Sequence, residues 1–308
     1  MNLLITGGLG NLGLWLTHYF LDRGEYVTVI GRTEKVIINN DNYKFIACDI
    51  TKQDDLELAI TKHYDFCIHT ASYNEHFQAG YKARALSINA LGTDNLCEAL
   101  LKHGVDKLIY LSTFHVYGAS GGIISELNAI SPVNDYGLTH YFAEKYIEKH
   151  AKTNGLNFCT LRLTNSYGCP RSIDTDKWYL VLNDLCKNAY ENKKIVLNSN
   201  GRGSRDFIWM GDVVKTISAV MNEEQCSNTF YNLSSGKSLS ILDIATFVKQ
   251  AYNESFSQDL PIEVNASDKT EFSELIVENK KLLDVINIEF HENILLEAKN
   301  IFKLLESK

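Results

Sequence analysis

An α/β fold, a doubly wound parallel sheet with a smaller C-terminal lobe, is what this sequence predicts, on three observations. The chain opens with a short apolar run, Asn2-Leu3-Leu4-Ile5-Thr6, the length of a buried strand. Four glycines (Gly7, Gly8, Gly10 and Gly13) follow within seven residues, and residues 14–21 then resume with helical spacing of apolar side chains. Strand-like and helix-like segments alternate through the rest of the first half, which implies parallel strands joined by crossover helices.

The glycine turn comes first. It needs residues that tolerate positive φ, and it lets backbone approach a pyrophosphate that any Cβ would block. The helix behind it offers free N–H groups and the positive end of its dipole. Gly7, Gly10, Asn11, Leu12 and Gly13 therefore read as a dinucleotide-binding loop, with a plain strand-to-helix turn as the alternative. Further strands are predicted at 26–30, 44–47, 65–69, 107–112 and 157–162. Helices are predicted at 11–21, 53–62, 83–102 and 136–146. Ligands of such sheets bind at the carboxyl ends of the strands, which sets Gly7, Gly31, Asp49, His69 and Thr113 along one rim. Beyond Gly168-Cys169-Pro170 the pattern loosens. A helix at 178–191, short strands at 195–197 and 229–233, and helices at 210–221, 240–252 and 292–305 are expected to close over the rim. The expected division is a dinucleotide-binding domain at 1–165 and a substrate lobe at 166–308, some of whose segments return to the sheet.

Composition narrows the class. The chain has 308 residues, 45% of them hydrophobic, enough for one large α/β domain with an appended lobe. No apolar run reaches the roughly 20 residues of a membrane helix, and no signal peptide is visible. Seven cysteines (Cys48, Cys67, Cys97, Cys159, Cys169, Cys186 and Cys226) are scattered without a CxxC pair. They read as reduced thiols in the cytoplasm, with no disulfide framework and no metal site. A net charge of −8 argues against nucleic acid or an anionic membrane as partner. It leaves room for a small anion held by local arginines.

The end of the second strand bears on the cofactor's 2′ position. An NAD site carries an acidic residue there, about 20 residues past the glycines, whereas this chain has Gly31-Arg32-Thr33. Arg32 can pair with a 2′-phosphate or stack on adenine, so NADP is preferred to NAD. A solvated turn arginine is the alternative. Asp49, beside Ile50, can accept the adenine amino group or else cap the following helix.

Further motifs occur in order along nearly the whole chain: Thr6 to Gly13 (TGGLGNLG); His69-Thr70-Ala71; Asn89 with Gly92-Thr93; Ser112-Thr113-Phe114-His115-Val116-Tyr117-Gly118; Arg162-Leu163-Thr164-Asn165-Ser166-Tyr167-Gly168-Cys169-Pro170; and Gly203-Ser204-Arg205-Asp206-Phe207. Together they resemble the TGxxGxxG, HxA, NxxGT, S[ST]xxVYG, RxxNxYGP and RDF elements of the extended short-chain dehydrogenase/reductase family, in its sugar-nucleotide epimerase/dehydratase branch. The resemblance implies a Rossmann fold and places Thr70, Ala71 and Asn89 at the cofactor. It also implies a nucleoside-diphosphate sugar as substrate, polysaccharide biosynthesis as setting, and a homodimer through the helices near 83–102 and 137–152.

That family's catalytic element is Tyr-x-x-x-Lys, whose lysine holds the nicotinamide ribose and lowers the tyrosine's pKa. The matching stretch is Tyr136-Gly137-Leu138-Thr139-His140, so histidine replaces lysine. Tyr141 and Lys145 repeat the spacing, but five residues turn about 140° around a helix, and the family's flanking residues align on Tyr136. A histidine of ordinary pKa, about 6.5, is mostly neutral at pH 7. His140 can donate one N–H to the ribose but helps ionise Tyr136 far less. A phenol of pKa ~10 is a poor base and a usable acid. Either a reductive bias or activity tied to His140 protonation is expected, with loss of activity as the alternative. Thr113 is expected to bond the reacting sugar oxygen. The 4,6-dehydratases carry Asp-Glu next, and Phe114-His115 stands there instead, which disfavours that reaction. His115, Asn165, Trp178 and Arg205 are expected at the substrate. Arg205 offers a fork for phosphate oxygens, and Trp178 is either a stacking face or a core residue. The function expected is hydride movement at a hexose carbon, C4, as an epimerase or oxidoreductase. A reductase of a non-carbohydrate carbonyl and a cofactor-binding regulator are the alternatives.

Overall fold

Apolar residues on alternate sides of short strands build the centre of the molecule. The computed structural model describes residues 1–74 and 80–307. β1 (Asn2–Thr6) leads through the glycine turn to α1 (Asn11–Leu21), followed by β2 (Tyr26–Gly31), β3 (Tyr43–Ala47), α2 (Gln53–Ala59) and β4 (Tyr64–His69). Then come α3 (Tyr81–Ala85), a π-helical stretch (Leu86–Leu91), α4 (Gly92–His103), β5 (Val105–Thr113), β6 (Gly122–Ile124), α5 (Asp135–Asn154), β7 (Phe158–Leu163) and β8 (Asn165–Tyr167). The remainder holds α6 (Val181–Asn192), β9 (Ile195–Leu197), β10 (Ser204–Trp209), α7 (Met210–Asn222), β11 (Thr229–Leu233), β12 (Ser238–Ser240), α8 (Ile241–Phe256), β13 (Ile262–Val264), β14 (Leu275–Val277), α9 (Lys280–Leu283) and α10 (Ile294–Glu306).

The central sheet has seven strands in the order β11-β7-β5-β4-β1-β2-β3, and every neighbouring pair is parallel. The order reverses between β1 and β4, and the crevice above such a switch point is where doubly wound sheets bind ligands. Successive β1 side chains point to opposite faces. Leu3 and Ile5 enter a core with Leu16 and Phe20 of α1 and Val213 and Ile217 of α7. Leu4 enters the opposite core with Leu56 of α2, Leu96 and Leu100 of α4, and Ala143 and Ile147 of α5. Helices thus cover both faces, as the Rossmann arrangement requires.

The strand expected at 229–233 is the sheet's outer strand β11, because Tyr231 and Leu233 reach the first of these cores. α7 joins the same core, so residues beyond 166 complete the sheet and its packing. The helix expected at 83–102 is broken by the π-helical stretch, where Asn89 turns inward to bond Tyr73 and Thr139. The helix expected at 53–62 stops at Ala59, where Ile60 becomes extended. The helix expected from 178 starts at Val181, after an extended Leu180. α6, α8 and α10 form a separate core through Leu185, Ile244, Val248 and Phe302. No helix among the described residues is long and apolar enough to cross a membrane.

Candidate active site

A cleft of about 790 Å³ opens above the switch point. Gly7 holds φ +67°, and a Cβ there would lie 2.9 Å from the Ala71 backbone, so the turn can sit against the end of β4 only with glycine. Gly7, Gly10, Asn11, Leu12, Gly13, Arg32, Asp49, Ile50, Thr70 and Ala71 all line the cleft. α1 begins without a side-chain cap, leaving its first N–H groups to an anion. Asn11 Oδ1 is buried with no partner among the described residues. This cradle fits a dinucleotide pyrophosphate. Burial opposes the charge of Asp49, but Thr51 donates its N–H at 3.0 Å and its hydroxyl at 2.8 Å, and with Arg32 nearby the carboxyl is held below its ordinary range. Arg32 and Arg84 border a second cavity of about 300 Å³ beside Asp49. Asn89 does not line the cleft. Its amide accepts the Tyr73 N–H at 2.6 Å and donates to Thr139 at 3.0 Å, holding the wall from behind.

The hydroxyls of Thr113 and Tyr136 come close because α5 starts tight against the end of β5. Asn134 caps the helix, its Oδ1 accepting the Gly137 N–H at 2.8 Å. A Cβ on Gly137 would fall 2.5 Å from the His115 carbonyl oxygen, so glycine permits this approach. Tyr136 is thereby brought beside Thr113, and both line the cleft. Burial pushes the Tyr136 phenol up to about 12, with the neighbouring Thr113 hydroxyl only partly offsetting it. One turn on, the His140 ring lies 4.5 Å from that of Tyr136. Its Nδ1 is 2.7 Å from the Tyr110 hydroxyl, and its Nε2 is buried with no partner among the described residues. Burial, with His69 and His115 nearby, pushes His140 down to about 3, so the imidazole is neutral at pH 7.

A buried ion pair pins α5 in place. Glu144 takes Arg162 Nε at 3.1 Å and Nη2 at 2.7 Å, and accepts the Ser112 hydroxyl at 2.6 Å. Arg162 also donates to the Tyr117 hydroxyl at 2.9 Å, which in turn donates to Asn232 at 2.7 Å.

On the lobe side, His115, Asn165 and Arg205 line the cleft. Burial, then Arg205, lowers the His115 pKa. Buried Asp206 accepts from Thr164 at 2.6 Å and from Ser235 and Gly236 at 2.9 Å, anchoring β10 so that neighbouring Arg205 faces the cleft. Trp178 does not line the cleft. Its indole donates to the Ile173 carbonyl at 3.3 Å and packs on the lobe core, because the helix behind it starts later than expected. The sequence reading missed Tyr110, hidden as filler in the apolar strand KLIYLS. It also missed Tyr179, whose hydroxyl crosses the cleft to the Asn74 carbonyl at 3.2 Å. Among the described residues one cluster has metal-ligand spacing: Asp94, Glu98 and His150, away from the cleft. Asp94 there already takes Lys149 and His150, each at 2.7 Å.

Comparison with known proteins places this geometry in context. Residues 3–234 match the model of the NAD dependent epimerase/dehydratase family. A putative UDP-glucose 4-epimerase of Methanocaldococcus jannaschii is 27% identical over 252 residues, covering 80% of this chain and 81% of that one. A dTDP-D-glucose 4,6-dehydratase of Dictyostelium discoideum is 27% identical over 274 residues, covering 79% and 60%. The structure of a UDP-glucuronic acid 4-epimerase from Bacillus cereus, in complex with NAD, superposes with a TM-score of 0.84 at 20% identity, covering 100% of this chain and 97% of that one.

Proposed function

Since the chain belongs to the NAD dependent epimerase/dehydratase family, we propose that it moves hydride between a nicotinamide dinucleotide and C4 of a nucleoside-diphosphate hexose. The observation that carries this reading is that Thr113 and Tyr136 line one cleft with His140, whose Nε2 is buried with no partner among the described residues. The glycine turn and α1 hold the pyrophosphate, and His140 Nε2 holds a ribose hydroxyl. The bound dinucleotide supplies and accepts the hydride. Thr113 orients the sugar oxygen, and Tyr136 Oη exchanges a proton with it. Arg205 and Asn165 hold the sugar diphosphate. With Tyr136 pushed up to about 12, the phenol stays protonated at pH 7, so proton donation to a ketone is its easier role.

Both epimerases and 4,6-dehydratases are among the relatives. The cleft carries Phe114 and His115 after Thr113, neither of them a carboxylate for removing water, which favours epimerase or reductase. The test is a panel of UDP-, GDP-, CDP- and dTDP-sugars followed by nicotinamide absorbance and product mass. Interconversion without net reduction identifies an epimerase. Consumption of reduced cofactor with a keto sugar identifies a reductase. Tight cofactor with no turnover on any sugar overturns the enzyme reading in favour of a regulator.

Arg32 and Arg84, flanking the cavity beside Asp49, support NADP as the dinucleotide. Titration is expected to give at least about tenfold tighter binding of NADP than NAD, the worth of a charge-assisted hydrogen bond. Equal or tighter NAD binding removes this preference. The partner at the surface is a second copy of the chain through α4 and α5, and light scattering reads its mass.

His140→Lys tests the proton inventory. A cation within about 4–6 Å favours a phenolate and lowers its pKa by about 1–3 units. The alkaline rise of the oxidative rate should therefore move to lower pH by about that much. An unchanged rate and pH profile would remove His140 from the mechanism.

A further inference from the structure

We propose that Tyr110 is a positioning residue that sets the tautomer of His140, so that the imidazole presents an Nε2–H donor to the cleft where a lysine ammonium would otherwise stand. The use of that donor rests on the cofactor reading above; the tautomer itself does not.

Tyr110 lies in the middle of β5 and is 2% exposed. Its ring stacks between two imidazoles, with centroids 5.4 Å from His69 and 6.0 Å from His140. Its hydroxyl is 2.7 Å from His140 Nδ1. Two proton assignments satisfy that distance. If Nδ1–H donated to the phenol oxygen, the phenol's own proton would have no acceptor among the described residues, inside a core of Leu4, Leu108 and Ile147. A buried donor left without a partner is costly. If the phenol donates, its proton is satisfied and Nδ1 is the acceptor. A neutral imidazole carries a single N–H, which must then sit on Nε2. That atom is buried with no partner among the described residues, on a side chain that lines the cleft.

His69 cannot take over this role. Its Nδ1 is 2.5 Å from the Thr6 hydroxyl and its Nε2 is 2.9 Å from the Thr93 hydroxyl. Thr93 donates to the Asn89 carbonyl at 2.6 Å, so it accepts from His69 Nε2–H, and Thr6 donates to Nδ1. Both nitrogens are used. The groups facing His140 are Tyr110, Tyr136, His69 and His115, none of them an anion at pH 7. The ring therefore stays neutral, and its tautomer decides whether it can donate. A lysine would need no such partner, since every proton of its ammonium is a donor.

The experiment uses the full chain labelled with nitrogen-15 histidine, the His140 signal being assigned by its loss in His140→Gln. Two-bond proton–nitrogen correlations at pH 7 are expected to show His140 as the Nε2–H tautomer, and Tyr110→Phe should convert it to a mixture or to Nδ1–H. A wild-type signal of the Nδ1–H form overturns the proposal. Dinucleotide titration supplies the second readout. Tyr110→Phe should weaken binding about 5- to 10-fold, the loss of one hydrogen bond, and the same change in a His140→Lys background should cost almost nothing. Equal weakening in both backgrounds would make Tyr110 a packing residue only and overturn the proposal. An Nε2–H tautomer in a protein that binds no dinucleotide would overturn the cofactor reading and leave the tautomer standing.

Discussion

Tyr136→Phe is expected to lower kcat by about 10²–10⁴-fold, the range for removing a general acid, with much less change in dinucleotide affinity. On the proposed reading Tyr136 Oη is the proton donor and Thr113, beside it in the cleft, orients the sugar oxygen. Phenylalanine keeps the ring contacts to His115 and His140, at centroid distances of 5.8 Å and 4.5 Å, so the cleft should keep its shape. Steady-state rates on the best sugar nucleotide, beside a dinucleotide titration, separate the two effects. A loss below about tenfold would show that another group carries the proton, with His115 the next candidate lining the cleft.

Glu144→Ala is expected to cost about 3–5 kcal/mol of stability, the range for stranding one member of a buried ion pair. The side chains of Glu144 and Arg162 are each 3% exposed. Without the carboxylate, Arg162 keeps its charge and its bond to Tyr117 but loses both contacts to Glu144, and Ser112 loses its acceptor. Denaturant unfolding measures the loss. Replacing both partners, Glu144→Leu with Arg162→Met, should recover much of it, because no buried charge is then left alone. A loss under about 1 kcal/mol for Glu144→Ala would mean that water reaches the pair. The pair also matters for the site: it ties α5, which carries Tyr136 and His140, to β5 and β7.

The parts of this protein that follow from local pattern were legible in its residues. The glycine turn between β1 and α1 is one, because strand, turn and helix are neighbours in the chain and their steric needs are local. The bounds of α1 and β9 match the expected segments, and Thr113 and Tyr136, each picked out by its motif, line the same cleft. Trp178 was not legible, because whether an indole faces a cleft or a core depends on where its helix starts. The place of β11 in the central sheet was not legible either, because hydrophobic alternation marks a strand without naming its partner. That partner, β7, pairs Cys159 with Thr229 across distant sequence.

What the amino-acid sequence determined by itself is the α/β class, the glycine turn at the head of α1 and the residue types that line the cleft. These rest on backbone sterics, periodicity and residue type, which belong to each segment wherever it lies. What only the tertiary structure decided is the state of protonation. Burial lifts Tyr136 to about 12 and drops His140 to about 3, and Tyr110, thirty residues before His140 in the chain, selects which nitrogen carries the proton. The reason is physical: a group's charge depends on the water it has lost and the dipoles it faces, and both are set by which strands and helices come together around it.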